Sequence, residues 1–488
     1  MIKKPIIKFV GYILLSLGLS MFATSLWPLF YNESDFLIFI KSGLITSLTA
    51  CILIFLSRGP IKSEINLRDG FYVVTISWLF MALFSSIPYY QSIYFNSFTD
   101  AFFESMSGIT TTGASVLSNI EALPHGLLFW RCFTQFIGGM GIILFTIAIL
   151  PILGMGGVQL FRAEVAGPTT DKLTPKIKDT AKYLWYIYLG LILLQTGILY
   201  LEGIIFNIDT LTLFNSLCHS MTTIATGGFS TFNNSILGFQ SHIVTWTIIV
   251  FMFLGATNFS LHFLLISKKS FDYFNDTEFR FYLWFIIISF VITFLNVSSL
   301  YGYTFKNLTA SMFNVMTFMT TTGYTLYDYS TWPALSQLIV FFMFFLGGMA
   351  GSTTGGIKLI RTILVIKYIR AEVTRILHPR GLHHVKIGDN VIGDEIVRST
   401  LGFYLFYILI FSICAIAVSF DGVDFISSIA ISASSIGNIG PGLGVIGPSS
   451  NWASLSDTTK YISTFCMLLG RLEIFTVLIL FSRTYWRS

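Results

Sequence analysis

Long apolar runs alternate along this chain with four short runs rich in Ser and Thr that end on glycine. The long runs predict spanning helices at 9–30, 36–56, 70–90, 126–153, 183–206, 243–267, 280–301, 332 to about 370 with an interruption in its middle, 398–420 and 458–483. About 20 apolar residues suffice to cross a hydrocarbon core, and each run has that length. The first is longer than a secretory apolar core and no small-x-small site follows it, so it reads as a retained helix. Polar punctuation then gives an order of span, short run, span, four times over.

The short runs are variants of one another: SMSGITTTGAS at 105–115, SMTTIATGGFS at 220–230, VMTFMTTTGYT at 315–325 and SASSIGNIGPG at 432–442. Met106, Met221 and Met316 fall seven residues before Gly113, Gly228 and Gly323, and Ala433 keeps that spacing to Gly440. A spacing that returns four times marks an internal repeat. Each copy predicts a half-span helix ending on a glycine that takes φ > 0 without steric cost. Irregular backbone survives in a membrane only when buried in protein or lining a watery cavity. Four copies about one axis make a ring of backbone carbonyls, which can replace the hydration shell of a monovalent cation. Their helices aim partially negative C-terminal ends at that ring. One copy alone would read as ordinary helix packing through small residues; four aligned copies favour the pore. The predicted fold is therefore an all-α polytopic membrane protein. It has four pseudo-symmetric helix/pore-loop/helix repeats around one pore, at 70–161, 162–270, 271–378 and 379–488, preceded by two transmembrane helices within 1–69.

Composition agrees: 54% of the 488 residues are hydrophobic and 11% charged, against about a quarter charged in soluble proteins. The net charge of +5 matters less than its placement. Apart from Lys41, Arg131 and Arg471, in or beside spans, only Lys306 and Lys460 of the 29 Lys and Arg residues fall on the side opposite Met1. The positive-inside rule makes both termini cytoplasmic. Outer loops carry Glu33, Asp35, Glu121, Glu202, Asp209, Asp328, Asp421 and Asp424. Together they would give a mildly negative mouth that concentrates cations, although each alone reads as a solvated loop residue. Cys51, Cys132, Cys218, Cys414 and Cys466 have no CxxC spacing and read as buried thiols. His378, His383 and His384 make no convincing metal ligand set.

Two features lie on the other side of the expected ring. Gly347, Gly348, Gly351, Gly355 and Gly356, with Ser352, Thr353 and Thr354 among them, interrupt the eighth span. Each Gly costs a helix about 0.8–1.0 kcal/mol relative to Ala, so this run predicts an intramembrane loop. The string GSTTGGIK lacks phosphate-loop spacing. Arg471 falls within the last apolar run, where an Arg costs roughly 2.5–3.5 kcal/mol and must face water or acceptors. Glu473 is about 200° around a continuous helix from it, so carbonyls of the Gly-rich loop are the better partners. Lys358 and Arg361 either snorkel to the interface or transmit a pull to the loop. Glu104 is either a mouth carboxylate or a capping and packing group. Two cytoplasmic stretches, one of mixed charge at 162–182 and a longer one at 367–398 with Arg370, Arg375, Arg380 and Lys386, could receive a partner or simply reflect the positive-inside excess.

These motifs, with FLGGMAGSTTGGIK at 345–358 and LGRLE at 469–473, resemble the TrkH/TrkG/KtrB superfamily of potassium uptake proteins. The two extra N-terminal spans resemble its TrkH branch. The resemblance covers nearly the whole chain. It implies a filter at Thr111, Thr112 and Gly113; Thr226, Gly227 and Gly228; Thr321, Thr322 and Gly323; and Asn438, Ile439 and Gly440. It also implies a gate in the Gly-rich loop, with Arg471 plugging the pore beside it. It further implies a homodimer in the bacterial cytoplasmic (inner) membrane, each protomer with its own pore. Cytosolic TrkA-like subunits that bind NAD or ATP/ADP would gate it, with potassium ions and membrane lipids as this chain's own ligands and no nucleic acid. Four non-identical copies predict a looser ring than TVGYG and weaker exclusion of sodium. A proton- or sodium-coupled potassium symporter stays open as the alternative. A polytopic membrane enzyme would need acidic or His-rich chemistry at a membrane face, where the strongest constellation here is glycines and hydroxyls.

Overall fold

The computed structural model describes residues 4–58, 67–148, 177–268, 272–379, 381, 384–388 and 390–486. Lys3, Lys62, His383, 162–176 in the first cytoplasmic stretch, and Arg380 and Asp389 in the second lie outside them. Among the described residues the one hairpin, Lys386–Ile387 with Asn390–Val391, interrupts an otherwise helical chain.

Among the described residues, seven unbroken helices are long and apolar enough to span: Lys4–Tyr31, Phe36–Leu56, Asp69–Tyr90, His125–Ile143, Ala181–Phe206, Thr277–Tyr301 and Asp394–Phe420. The first two pack through small residues, where a Cβ added to Gly11 would meet Ile54 and one added to Gly18 would meet Ser47. Such close backbone approach is how helices associate without a hydrophobic drive. The run from 332 to about 370 is interrupted as expected, into Ala334–Met343 and Leu359–Leu377.

Two spans that the apolar pattern predicts as continuous are broken. His242–Gly255 and Phe259–Ser267 meet at 92°, and Asp457–Arg471 and Phe475–Phe481 at 109°. At the first break the backbone serves the Gly-rich loop instead of its own helix. Met349 N donates to the Ala256 carbonyl at 3.0 Å, and Phe259 N donates to that of Gly351 at 3.1 Å. At the second, Glu473 and Ile474 take left-handed φ values of 56° and 52°, a conformation that costs an L-residue roughly 1–2 kcal/mol. The Glu473 carboxylate offsets part of this by pairing with Arg361 at 2.5 Å. Thr257 and Asn258 at the first break, and Arg471 and Glu473 at the second, are too few to lower the mean hydropathy of either run.

The four half-span helices are Phe98–Ile109, Leu213–Ile224, Phe305–Met319 and Phe425–Gly437. Ser97, Thr212, Thr304 and Asp424 cap their N-termini, each side-chain oxygen accepting from the backbone N–H three residues on.

Candidate ion pathway

All four half-span helices stop in the same way. Just past each helix end, Thr111, Thr226, Thr321 and Asn438 have φ between 51° and 54°. Thr112 N donates to Ser107 O at 2.8 Å, Gly227 N to Thr222 O at 2.9 Å, Thr322 N to Thr317 O at 2.9 Å and Ile439 N to Ser434 O at 3.0 Å. This left-handed cap with a six-to-one bond is a Schellman turn. It turns the chain from helix into an extended strand at one position in every copy.

The strands close into a ring whose order can be read from the glycines. A Cβ on Gly113 would fall within 3.0 Å of the Gly227 carbonyl oxygen, one on Gly228 of Thr322 O, one on Gly323 of Ile439 O, and one on Gly440 of Thr112 O. Each copy thus abuts the next, and the fourth returns to the first. All four glycines have φ between 74° and 96°. Carbonyls approaching neighbouring glycines this closely leave no room for a side chain, and a ring of them can coordinate a dehydrated monovalent cation. A cavity of about 390 Å³ lies against the ring's four glycines, with Ser115, Ser230 and Asp328 among its lining residues.

Polar contacts between copies hold the ring. Asn438 Nδ2 donates to Thr112 Oγ1 at 3.1 Å and to the Met467 carbonyl at 2.8 Å. The Tyr324 hydroxyl donates to the His219 carbonyl at 3.1 Å and bonds the hydroxyls of Thr222 and Thr223. Arg131 and Glu104, at most 1% exposed, pair at 2.8 Å. Arg131 Nη1 also donates to the Ser230 carbonyl, while Glu104 accepts from Ser115 Oγ and Val116 N. This pair therefore ties the exits of the first two strands together. Glu104 is a packing group and not a mouth carboxylate.

The Gly-rich loop lies directly against the helix side of the ring. Its ends join as a parallel bridge between Leu346 and Ile357. Gly355 N donates to Thr321 Oγ1 at 2.8 Å, and Thr226 Oγ1 donates to Thr353 Oγ1 at 3.2 Å. Ser352 and Thr354 bond each other at 2.9 Å, and Thr354 Oγ1 accepts from Gly348 N. Gly351 and Gly356 have positive φ, and a Cβ on Gly347 would collide with the Gly355 carbonyl. Glu278 anchors the loop, accepting from Ala350 N and Ile360 N at 2.9 Å each.

Arg471 is buried beside the loop. Its Nη1 donates to the Thr353 carbonyl at 2.7 Å and its Nη2 to the Gly138 carbonyl at 2.9 Å. Lys358 does not snorkel: it is buried and donates to the Thr354 carbonyl and hydroxyl. Arg361 is also buried, between the Phe403 ring at 4.1 Å and Glu473.

Several of the carboxylates expected at a negative mouth make bonds within the fold. Glu33 pairs with His125, Glu121 accepts from Asn233 N, Glu202 from Thr247, and Asp421 from Ser456 and Thr459. Those hydroxyls hold the Asp421 carboxyl below its usual range. Asp35 is buried, and of the eight only Asp328 lines the cavity among the described residues. Cys51, expected to be buried, is exposed, while the other four thiols are buried.

Glu278, the Arg131–Glu104 pair and the Arg361–Glu473 pair escaped sequence reasoning, because their partners are distant in the chain. An acidic residue inside an apolar segment, as Glu104 is, was the one available signal.

Among the described residues, seven unbroken apolar helices and two bent pairs around a four-stranded carbonyl ring, with a Gly-rich loop seated against it, define the class as a multi-pass membrane protein built for cations. A family model described as cation transport protein, TrkH, matches residues 38–488, and the chain belongs to that family. It is 37% identical over 492 residues, covering 99% of both chains, to "Trk system potassium uptake protein TrkH" of Vibrio parahaemolyticus. It is 34% identical to "Trk system potassium uptake protein TrkG" of Escherichia coli, over 98% of this chain and 97% of that one. The crystal structure of the potassium transporter TrkH from Vibrio parahaemolyticus is similar across 99% of both chains, with a TM-score of 0.90 at 34% identity.

Proposed function

We propose that this chain is the potassium-conducting subunit of a Trk-type uptake system, moving K+ inward down its electrochemical gradient. The carrying observation is the closed order of the ring, in which each of four glycines accommodates the neighbouring strand's carbonyl oxygen. Thr111, Thr112, Gly113, Thr226, Gly227, Gly228, Thr321, Thr322, Gly323, Asn438, Ile439 and Gly440 form the filter. The potassium-uptake names of the relatives support the choice of cation. The loop at 347–356, with Lys358 and Arg471, is the gate: a guanidinium fixed beneath the filter repels an arriving cation until the loop moves. The step makes and breaks no covalent bond, so the protein is not an enzyme.

The same reading puts the chain in a bacterial inner membrane with both termini cytoplasmic, supported by the bias of Lys and Arg toward the loops on the side of Met1. It pairs the chain as a homodimer over cytosolic TrkA-like subunits that carry NAD or ATP/ADP, and here the support is the resemblance.

Potassium and sodium flux into proteoliposomes holding the purified protein tests this, with Gly113→Ser, Gly228→Ser, Gly323→Ser and Gly440→Ser for comparison. The expected current reverses at the potassium Nernst potential whatever the pH or sodium concentration, and the four variants lose ion preference. A reversal potential that follows pH or sodium would make the protein a symporter. Flux indifferent to all four glycines would remove the filter assignment.

A further inference from the structure

The four strands are packed from behind in different ways. In the first and third, Thr112 and Thr322 turn their hydroxyls onto Thr110 and Thr320 at 2.8 Å each. The fourth has a buried Ile439. The second has Ala225 and Gly227 at these two positions and can make neither contact.

Gln135, fully buried in the helix His125–Ala148 of the first repeat, takes the vacant place. Its Nε2 donates to the Gly227 carbonyl at 2.7 Å, and its Oε1 accepts from Phe229 N at 3.1 Å. One side chain thereby clamps the second strand on either side of Gly228. A Cβ on Gly227 would fall within 3.0 Å of Cδ, Oε1 and Nε2 of Gln135. Gly227 does not have a positive φ, and its counterparts Thr112, Thr322 and Ile439 all carry side chains. Conformation does not demand glycine at 227; the volume taken by Gln135 does.

We propose that Gln135 is a positioning residue that determines the filter's specificity by aiming and partly engaging the Gly227 carbonyl. The inference rests on the four strands being the filter. Among the described residues the other three ring carbonyls, of Thr112, Thr322 and Ile439, accept no hydrogen bond. A carbonyl offers two lone pairs, and an amide donor occupies one. A cation at this level meets three free carbonyls and a fourth that is stiffer and a weaker ligand. Selection among monovalent cations depends on the number and field strength of such dipoles, so one tethered carbonyl alters it.

The test is the K+/Na+ permeability ratio, from reversal potentials of the full chain reconstituted in liposomes. Gln135→Ala, Gln135→Glu, Gly227→Ala, the double variant Gln135→Ala with Gly227→Ala, and Gly323→Ser are compared. Gln135→Glu keeps length and acceptor while removing the donor. Both Gln135 single variants are expected to change the ratio roughly 2- to 10-fold, the weight of one neutral hydrogen bond. Gly227→Ala changes it too, and the double variant, whose methyl refills the vacated volume but which still lacks the donor, keeps the altered ratio of Gln135→Ala. A merely structural role would lower the amount of inserted protein and leave the ratio alone. If Gln135→Ala fails to insert, the ratio of Gln135→Glu decides. Ratios unchanged in the Gln135 variants while Gly323→Ser alters its own would overturn the proposal. A ratio unmoved by Gly323→Ser as well would remove the filter reading beneath it.

Discussion

Replacing Arg471 separates a latch from a plug. Its guanidinium makes two charge-assisted bonds, one to the loop carbonyl of Thr353 at 2.7 Å and one to Gly138 at 2.9 Å on the helix His125–Ala148. Only an interaction that differs between two states can shift their balance. Gly138 is not part of the loop, so the Thr353 bond is the one that loop displacement breaks. A hydrogen bond to a charged group is worth about 1.5–3 kcal/mol, which corresponds to roughly a 10- to 150-fold change in the open fraction. Arg471→Gln removes the charge, and Arg471→Lys keeps it on a side chain lacking the planar fork. The assay is basal potassium flux in proteoliposomes without any added partner. Arg471→Gln is expected to raise that flux by up to about two orders of magnitude. Arg471→Lys should raise it less, because the repelling charge remains. Unchanged basal flux in both would refute the latch and the plug together, and equal increases would refute the plug alone.

Two further outcomes follow from buried charge. Glu104→Ala leaves Arg131 unpaired at 1% exposure, which costs about 3–5 kcal/mol; a large fall in the detergent-solubilised protein's thermal midpoint is expected, and less than additive loss in Glu104→Ala with Arg131→Ala. Asp35 lies between the first two spans, where burial first and then the charge of Glu33 push its carboxyl up to about 6, with His125 opposing. The folded state thus holds this proton more tightly than the unfolded chain, so stability falls as pH rises from about 4 to 6 and the cost persists above that. Asp35→Asn should flatten this decline in a thermal-stability series across pH 4 to 7, and an identical slope in the variant would count against it.

Spans and repeats were legible because both leave one-dimensional traces: run length, and the fixed spacing from Met106 to Gly113 and its returns. The Gly-rich loop was legible because five glycines cannot hold a helix. What escaped is what only the third dimension supplies. Thr257 with Asn258, and Arg471 with Glu473, are two polar residues each in long apolar runs, so mean hydropathy could not mark the breaks. By position Lys358 and Arg361 read either as interface cations or as transmitters of a pull to the loop; the first reading fails, because Thr354, Glu473 and Phe403 receive them in the interior. Gln135 is a polar residue inside an apolar run that drew no reading, since nothing in its neighbours announces a missing side chain at Gly227.

The proposed gate and the proposed filter share hydrogen bonds. Of the four side chains at the first filter position, two hold the loop: Thr226 donates to Thr353, and Thr321 accepts from Gly355 N. Thr111 Oγ1 and Asn438 Oδ1 accept no hydrogen bond among the described residues. The loop is therefore bonded to the second and third strands and not, through these atoms, to the first and fourth. Displacing it must break both bonds; the Thr226 hydroxyl keeps the Ala225 carbonyl at 2.8 Å, while the buried Thr321 hydroxyl is left to be satisfied by water or by an ion, since an orphaned buried polar group costs about 1–3 kcal/mol. Loop position and the polarity of the ring's inner face are thus linked variables. A substitution at Thr226 or Thr321 acts on ion preference and on opening together, and neither effect can be read without measuring the other.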